Sequence, residues 1–172
     1  IRDRGDVVRI ATDASSDTVF KGSMCFVAGN GDYRLRTRET KASTDELELE
    51  ALTLALKYLL KVGARKAVIE SDSVAALEAV EQIVHKRGSK ASRPGRTWRG
   101  VSSGARSRFQ QAWGDIQGQC EVDIRRVLGH AGDPLNRAAD QIAYMGLRAI
   151  AHPMKQSRET LREGIQKALS AL

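Results

Sequence analysis

The chain has 172 residues, of which 28 are Lys or Arg and 21 are Asp or Glu, so its formal net charge is +7. Hydrophobic residues make up 41% of the sequence and aromatic residues 5%, which is typical of one conventional globular domain. A chain of this length can bury a core of its own, so small scaffolds that depend on disulfides or structural metals are excluded.

Two features of the sequence bear on the compartment in which the protein works. Cys25 and Cys120 lie in separate apolar stretches, which indicates buried free thiols in a reducing environment. No apolar run approaches the roughly 20 residues that cross a bilayer, and the first residues lack the layout of a signal peptide. The sequence therefore predicts a cytoplasmic protein with no membrane partner.

The first forty residues predict three strands, at 7–12, 19–28 and 32–39. Gly29-Asn30-Gly31 lies between the second and the third, and these residue types tolerate the positive φ of a tight hairpin turn. The three strands are therefore expected to form an antiparallel meander.

The next segments predict alternating helices and strands. Ser43 and Glu46 have the spacing of a capping box in front of a Leu- and Ala-rich helix at 47–62. A buried strand at 66–71 and a helix at about 73–84 follow. This order of elements indicates parallel pairing of the later strands.

The positive charge is concentrated in residues 85–114, here called the basic segment. It carries 8 basic and no acidic side chains, whereas residues 1–84 carry 12 basic and 14 acidic ones and residues 115–172 carry 8 and 7. Clustered cations release counterions from nucleic acid, and an interleaved aromatic ring can stack on a base. The basic segment is predicted to contact nucleic acid; the alternative is a loop that is merely solvated. The candidate contacts are Lys86, Arg87, Arg93, Arg96, Trp98 and Arg99, with Phe109 and Trp113 as further aromatic residues.

After the first part of the basic segment we expect a helix near 104–117, a strand at 120–128 and a helix that begins at Asp133-Pro134. A last amphipathic helix from about 157 to 171 carries an apolar stripe that should dock onto the domain or onto a second copy. The predicted fold is α/β, with a mixed five-stranded sheet flanked by helices. Residues 1–150 are predicted to form a catalytic domain with this fold, and residues 151–172 a C-terminal helical extension.

Four acidic residues fall where elements of such a fold can converge. Asp13 follows the first strand, Asp72 ends the fourth, and Glu48 and Asp140 lie in helices. Four neighbouring carboxylates would repel one another unless hard divalent cations neutralised them. Two Mg²⁺ ions about 4 Å apart could activate water for phosphoryl transfer. Taken singly, the same residues could be helix caps, first-turn acids or turn residues.

The sequences around these acids resemble type 1 ribonuclease H. The matching stretches are IATDAS, ELEALTLAL, IESDS and GHAGDPLNRAADQIA, in the family's order and spacing. The resemblance spans residue 7 to about 150. It implies the ribonuclease H-like fold and metal-dependent cleavage of the RNA strand in RNA/DNA hybrids, with Asp13, Glu48, Asp72 and Asp140 as metal-binding carboxylates.

The resemblance also suggests substrate contacts. The basic segment matches the place of a basic protrusion that grips the hybrid in many members. Lys41 and Ser43 stand where the family often holds a DNA phosphate, and Thr44 stands where an Asn commonly contacts a ribose hydroxyl. For Lys41 and Ser43 the alternative is solvent exposure and helix capping.

Asp133 departs from the family pattern as we interpret it. Bacterial members usually carry a histidine there, on a mobile loop that assists proton movement and product release, whereas His130 matches a structural histidine. Asp133 is therefore either an N-cap for the helix that starts at Pro134 or a carboxylate that exchanges metal.

The sequence thus predicts a monomeric endoribonuclease that uses two Mg²⁺ ions, or Mn²⁺, on RNA/DNA hybrids. Self-association through the last helix is the alternative to a monomer. The rival functions are a non-catalytic nucleic-acid-binding module of the same fold and another nuclease of the same superfamily.

Overall fold

A computed structural model describes residues 6–17, 20–39, 41–85, 101–128, 132–153 and 158–172. In these ranges the chain forms five strands and five helices. The strands are β1 (Val8–Ser16), β2 (Gly22–Ala28), β3 (Tyr33–Arg38), β4 (Lys66–Ser71) and β5 (Glu121–Arg126), and the helices are α1 (Thr44–Val62), α2 (Val74–Val84), α3 (Ser103–Ile116), α4 (Pro134–Ala151) and α5 (Arg158–Leu169).

The five strands form one mixed sheet in the order β3-β2-β1-β4-β5. β1 pairs antiparallel with β2, and β2 with β3, so the predicted meander is confirmed. β4 pairs parallel with β1 on one side and with β5 on the other. Gly31 has a φ of 91° in the β2–β3 turn, a conformation that glycine adopts without the strain of a Cβ atom.

Neighbouring residues of β1 contribute to two cores because successive strand residues point to opposite faces of the sheet. Ile10 belongs to the core between the sheet and α1, α2 and α3. Ala11 belongs to the core between the sheet and α4 and α5. The domain is therefore a sheet covered by helices on both faces, as the sequence predicted.

Side chains fix the start of four helices. Ser43, Ser73 and Ser102 accept hydrogen bonds from backbone amides in the first turns of α1, α2 and α3. Asp133 does the same for α4, whose first residue is Pro134. These contacts satisfy amides that have no partner within the helix.

The predicted C-terminal helix docks onto its own domain. Ile165 and Ala168 of α5 are buried, and Leu161 and Leu169 pack beside them against the core that contains α4. The helices approach closely at Gly164, where an added Cβ would lie 2.6 Å from the sulfur of Met145. The apolar stripe is thus covered within the chain.

The last part of the basic segment belongs to α3, which confirms the helix predicted near 104–117. Phe109 of α3 is fully buried, and the Trp113 ring stacks on it with centroids 6.2 Å apart. Burial leaves the Phe109 ring unavailable for stacking on a base, whereas Trp113 is only partly buried. Residues 86–100 lie outside the described residues, and with them all six candidate contacts from Lys86 to Arg99.

The two cysteines are free and buried, as predicted. Among the described residues no helix is both long enough and apolar enough to cross a bilayer.

Candidate metal centre and active site

The sheet opens between β1 and β4 where the acidic residues lie. The parallel pairing of these strands ends at Ala11 and Glu70, whereas β1 continues to pair with β2 as far as Ser16. Asp13 therefore lies inside β1, not after it as the apolar run suggested. Asp72 directly follows β4, so the two carboxylates meet where the strands part.

Three carboxylates from three elements come together at this opening. Asp13, Glu48 and Asp72 each offer one oxygen, and these oxygens all lie within 4.8 Å of one another. Asp13 and Glu48 are only 9% and 5% exposed, whereas Asp72 is exposed. These three residues are referred to below as the carboxylate cluster.

Asp140 of α4 completes the predicted set. It lines a cavity of about 110 Å³ together with Asp13 and Asp72. Its side chain is also within hydrogen-bonding range of the Asp13 carboxyl. The structure therefore brings all four predicted carboxylates to one place.

Burial and mutual repulsion make the charged forms of these groups unfavourable. Burial, with repulsion from Asp72 and a contact with Asp140, raises the pKa of Asp13 to about 7, although the Ala14 amide opposes the shift. Burial and the charges of Asp13 and Asp72 raise the pKa of Glu48 to about 10. Without an added cation, the environment therefore favours the protonated forms of Asp13 and Glu48.

The donor set fits a hard divalent cation. The Oε2 atom of Glu48 is buried and has no hydrogen-bond partner in the described part of the chain. No ion pair links any of the four carboxylates to a Lys or Arg of that part. An orphaned buried oxygen among uncompensated carboxylates suits Mg²⁺ or Mn²⁺, which prefer oxygen ligands.

A second group of charged residues beside the cluster is fully paired; we call it the arginine network. Arg9 donates to Oε1 of Glu70 and to Oδ2 of Asp133, each at 2.8 Å. Asn136 donates to the other oxygen of Glu70 at 3.0 Å. The network ties β1 and β4 to the first turn of α4, and so fixes the helix that carries Asp140.

Asp133 has its two oxygens engaged. Oδ1 accepts a hydrogen bond from the Leu135 amide at 3.0 Å, and Oδ2 accepts from Arg9. Burial alone would raise the pKa of Asp133, but these hydrogen bonds and the Arg9 charge outweigh it and lower the pKa. Asp133 lines the cavity, yet its carboxylate caps α4, as the capping alternative predicted.

The candidate substrate contacts at the start of α1 have mixed outcomes. Ser43 caps α1 by accepting a hydrogen bond from the Glu46 amide at 3.1 Å. The Thr44 hydroxyl is exposed and lies 2.5 Å from the hydroxyl of Ser16, and Lys41 is exposed. Exposure leaves Lys41 and Thr44 accessible to a ligand.

Sequence reasoning missed three residues near the cavity. Arg9 and Glu70 are charged residues within strands, and their pairing depends on the register of β1 and β4. Arg137 lines the cavity on α4 and was treated only as part of a motif. Its position three residues before Asp140 was the one available signal, since such residues share a helix face.

The comparisons with known proteins agree with this site. A search of curated proteins finds no match to the chain. The profile of the family described as RNase H matches residues 5–148, a range that contains all five strands and all four carboxylates. Membership supports a ribonuclease H-like nuclease function for this acidic centre. On this match the chain belongs to the RNase H family.

Proposed function

We propose that the protein is a type 1 ribonuclease H, an endonuclease that cleaves the RNA strand of RNA/DNA hybrids with two divalent metal ions. One observation carries the proposal: a chain of this family keeps its buried carboxylates together and uncompensated. Such a cluster makes the metal-free fold less stable at neutral pH, and bound metal ions would offset that cost.

The chain's own residues would hold the metal and the substrate in place. Asp13, Glu48, Asp72 and Asp140 would bind two Mg²⁺ or Mn²⁺ ions. When bound, these ions would activate a water molecule for in-line attack on an RNA phosphodiester and stabilise the leaving oxygen. The expected products carry 5′-phosphate and 3′-hydroxyl ends.

The positively charged surface would bind the hybrid. The basic segment supplies eight cations with no acid among them, and its candidate contacts remain Lys86, Arg87, Arg93, Arg96, Trp98 and Arg99. Lys41, Ser43 and Thr44 at the start of α1 are the other proposed contacts. Phosphate contacts of this kind supply affinity that falls with salt.

The test compares three labelled duplexes: RNA/DNA hybrid, duplex RNA and duplex DNA. Each is incubated with the protein in Mg²⁺, Mn²⁺ or chelator, and the variant Asp13→Asn serves as the matched control. We expect cleavage of the hybrid's RNA strand by the wild type in metal only. Binding without cleavage would instead identify a non-catalytic module, and cleavage of duplex DNA would identify another kind of nuclease.

The cytoplasmic location and the monomeric state stay predictions. Neither follows from the position of the carboxylate cluster.

A further inference from the structure

Arg137 is the one cationic side chain among the described residues that line the catalytic cavity. It lies in the first turns of α4, and Asp140 follows it by three residues. Residues at this spacing lie on neighbouring parts of one helix face. The guanidinium group therefore belongs to the same wall of the cavity as a proposed metal ligand.

The acids of the arginine network already have partners. Asp133 is engaged by Arg9 and by the Leu135 amide, and Glu70 is engaged by Arg9 and Asn136. Across residues 6–17, 20–39, 41–85, 101–128, 132–153 and 158–172, the Arg137 side chain forms no hydrogen bond or ion pair. An exposed arginine thus remains unpaired at the edge of an acidic cavity.

The arginine network explains why this cation stays available. Arg9 supplies the charge that Glu70 and Asp133 need, so neither acid requires Arg137. The carboxylate cluster fits divalent cations, which would take up its negative charge. Once those are bound, the group left without a counter-charge at the cavity wall is a guanidinium.

We propose that Arg137 binds a phosphate of the RNA strand that lies over the cavity, and so positions that strand for cleavage. The inference rests on the proposed function and adds a contact outside the basic segment. A guanidinium suits this task because its planar set of donors matches two phosphate oxygens at once. Lysine at the same position would keep the charge and lose the paired geometry.

The first experiment measures hybrid binding in chelator, where metal-dependent cleavage cannot occur. Labelled hybrid is titrated with wild type, Arg137→Ala and Arg137→Lys at rising salt. Arg162→Ala is the control, because Arg162 is an exposed arginine of α5 that does not line the cavity. We expect Arg137→Ala to weaken binding about tenfold and to reduce the salt slope by about one.

For Arg137→Lys we expect the wild-type salt slope with an intermediate affinity, and for Arg162→Ala no change in either. Unchanged affinity and slope in Arg137→Ala would overturn the proposal. So would an equal loss in Arg162→Ala, because the effect would then be one of overall charge.

The second experiment locates the phosphate. Methylphosphonate linkages, which carry no charge, are placed one at a time in the RNA strand. If Arg137 contacts one phosphate, neutralising that linkage weakens binding of the wild type and has no further effect on Arg137→Ala. If every neutralised linkage weakened binding of Arg137→Ala as much as it weakened binding of the wild type, a specific contact would be contradicted.

A third measurement separates this role from tuning of the metal site. Mn²⁺ binding is followed by calorimetry without nucleic acid. We expect equal Mn²⁺ affinity in wild type and Arg137→Ala, whereas tighter binding in the variant, without weaker hybrid binding, would overturn the proposal. Failure of the proposed function would look different: the wild type would bind hybrid through Arg137 and leave it intact in Mg²⁺.

Discussion

Two groups of acidic side chains lie beside β1 and differ in how their charge is balanced. In the arginine network, Arg9 and Asn136 engage both oxygens of Glu70, and Asp133 is paired as well. In the carboxylate cluster, four residues further along the strand, Asp13 and its neighbours have no basic partner among the described residues. The first group is complete within the protein, whereas the second requires something from outside it.

The two groups differ in their hydrogen-bond partners and not in how deeply they are buried. Glu70 is 9% exposed, like Asp13, so burial alone does not distinguish them. What differs is whether basic or amide side chains of the described residues donate hydrogen bonds to the carboxylate. Substitutions should therefore disturb stability in the network and chemistry in the cluster.

The largest effect is expected from Asp13→Asn. This variant removes an anionic ligand from the centre of the cluster, so hybrid cleavage should fall by more than about a hundredfold, the upper range for residues that merely support a ligand. Single-turnover cleavage in Mg²⁺ measures the loss, and hybrid binding in chelator checks that the surface is intact. Mg²⁺-dependent activity close to wild type would remove Asp13 from the metal site.

Glu48→Gln should stabilise the metal-free protein by about 2 kcal/mol at pH 8, or raise its Tm by roughly 4–8 °C. The pKa of Glu48 is raised from 4.5 to about 10 in the fold. Between these values the folded protein retains a proton that the unfolded chain releases, so Glu48 destabilises the fold increasingly as pH rises through that window. The gain should vanish near pH 4, where Glu48 is protonated in both states.

Mg²⁺ should raise the Tm of the wild type more than that of Glu48→Gln. Glu78→Gln is the matched control, because Glu78 is an exposed glutamate of α2. A Glu48→Gln protein that is less stable than wild type at pH 8 would show that the carboxylate is satisfied within the fold.

The sequence interpretation treats His130 as structural and Asp133 as a helix cap or a carboxylate that exchanges metal. Against that interpretation, we expect proton movement to depend on His130 and not on Asp133. Both Asp133 oxygens are engaged, whereas His130, which lies outside the described residues, stands in the chain between Leu128 and Gly132, and both of these line the cavity. We expect His130→Ala to slow turnover about tenfold or more, with a change in the pH profile near neutrality. Asp133→Asn keeps the cap and should change turnover by less than about threefold.

Steady-state and single-turnover rates of both variants, measured between pH 5.5 and 9, make the comparison. Asp133→His is the third variant, since it would restore the histidine that the family resemblance suggested. A faster Asp133→His enzyme, or a larger loss in Asp133→Asn than in His130→Ala, would return the role to position 133.

The smallest effect is expected from Arg9→Ala, at about 1 kcal/mol of unfolding free energy. The loss leaves the Glu70 carboxylate short of a donor, but Arg9 itself is half-exposed and the pair is partly screened by solvent. Urea unfolding measures it, with Arg34→Ala, an exposed arginine of β3, as control. If the double variant lost as much unfolding free energy as Arg9→Ala and Asp133→Asn together, a shared network would be contradicted.

Local patterns predicted most of the fold and the four carboxylates. The meander depends on short turns and α1 on the spacing of Ser43 and Glu46, so both could be read from neighbouring residues. The end of β1 was misjudged because its polar residues, up to Ser16, still pair with β2. Pairing across a sheet does not require an apolar sequence.

The last part of the basic segment could also be predicted from local spacing. Ala105, Phe109, Ala112 and Ile116 recur at helical spacing and form the buried face of α3. That period is present in the sequence and is consistent with the helix predicted near 104–117. The arginine network could not be predicted from the sequence, because its partners are brought together only by strand register and the docking of α4.

The order of the strands also determines when the catalytic centre can form during folding. β1, β2 and β3 join through short connections, whereas α1 separates β4 from these strands in the chain and α4 lies at the far end of the family-matched region. Contacts between distant parts of a chain form more slowly than local ones. Metal binding should therefore appear with the last folding phase, and a chain still being synthesised would carry no assembled nuclease centre until α4 has docked.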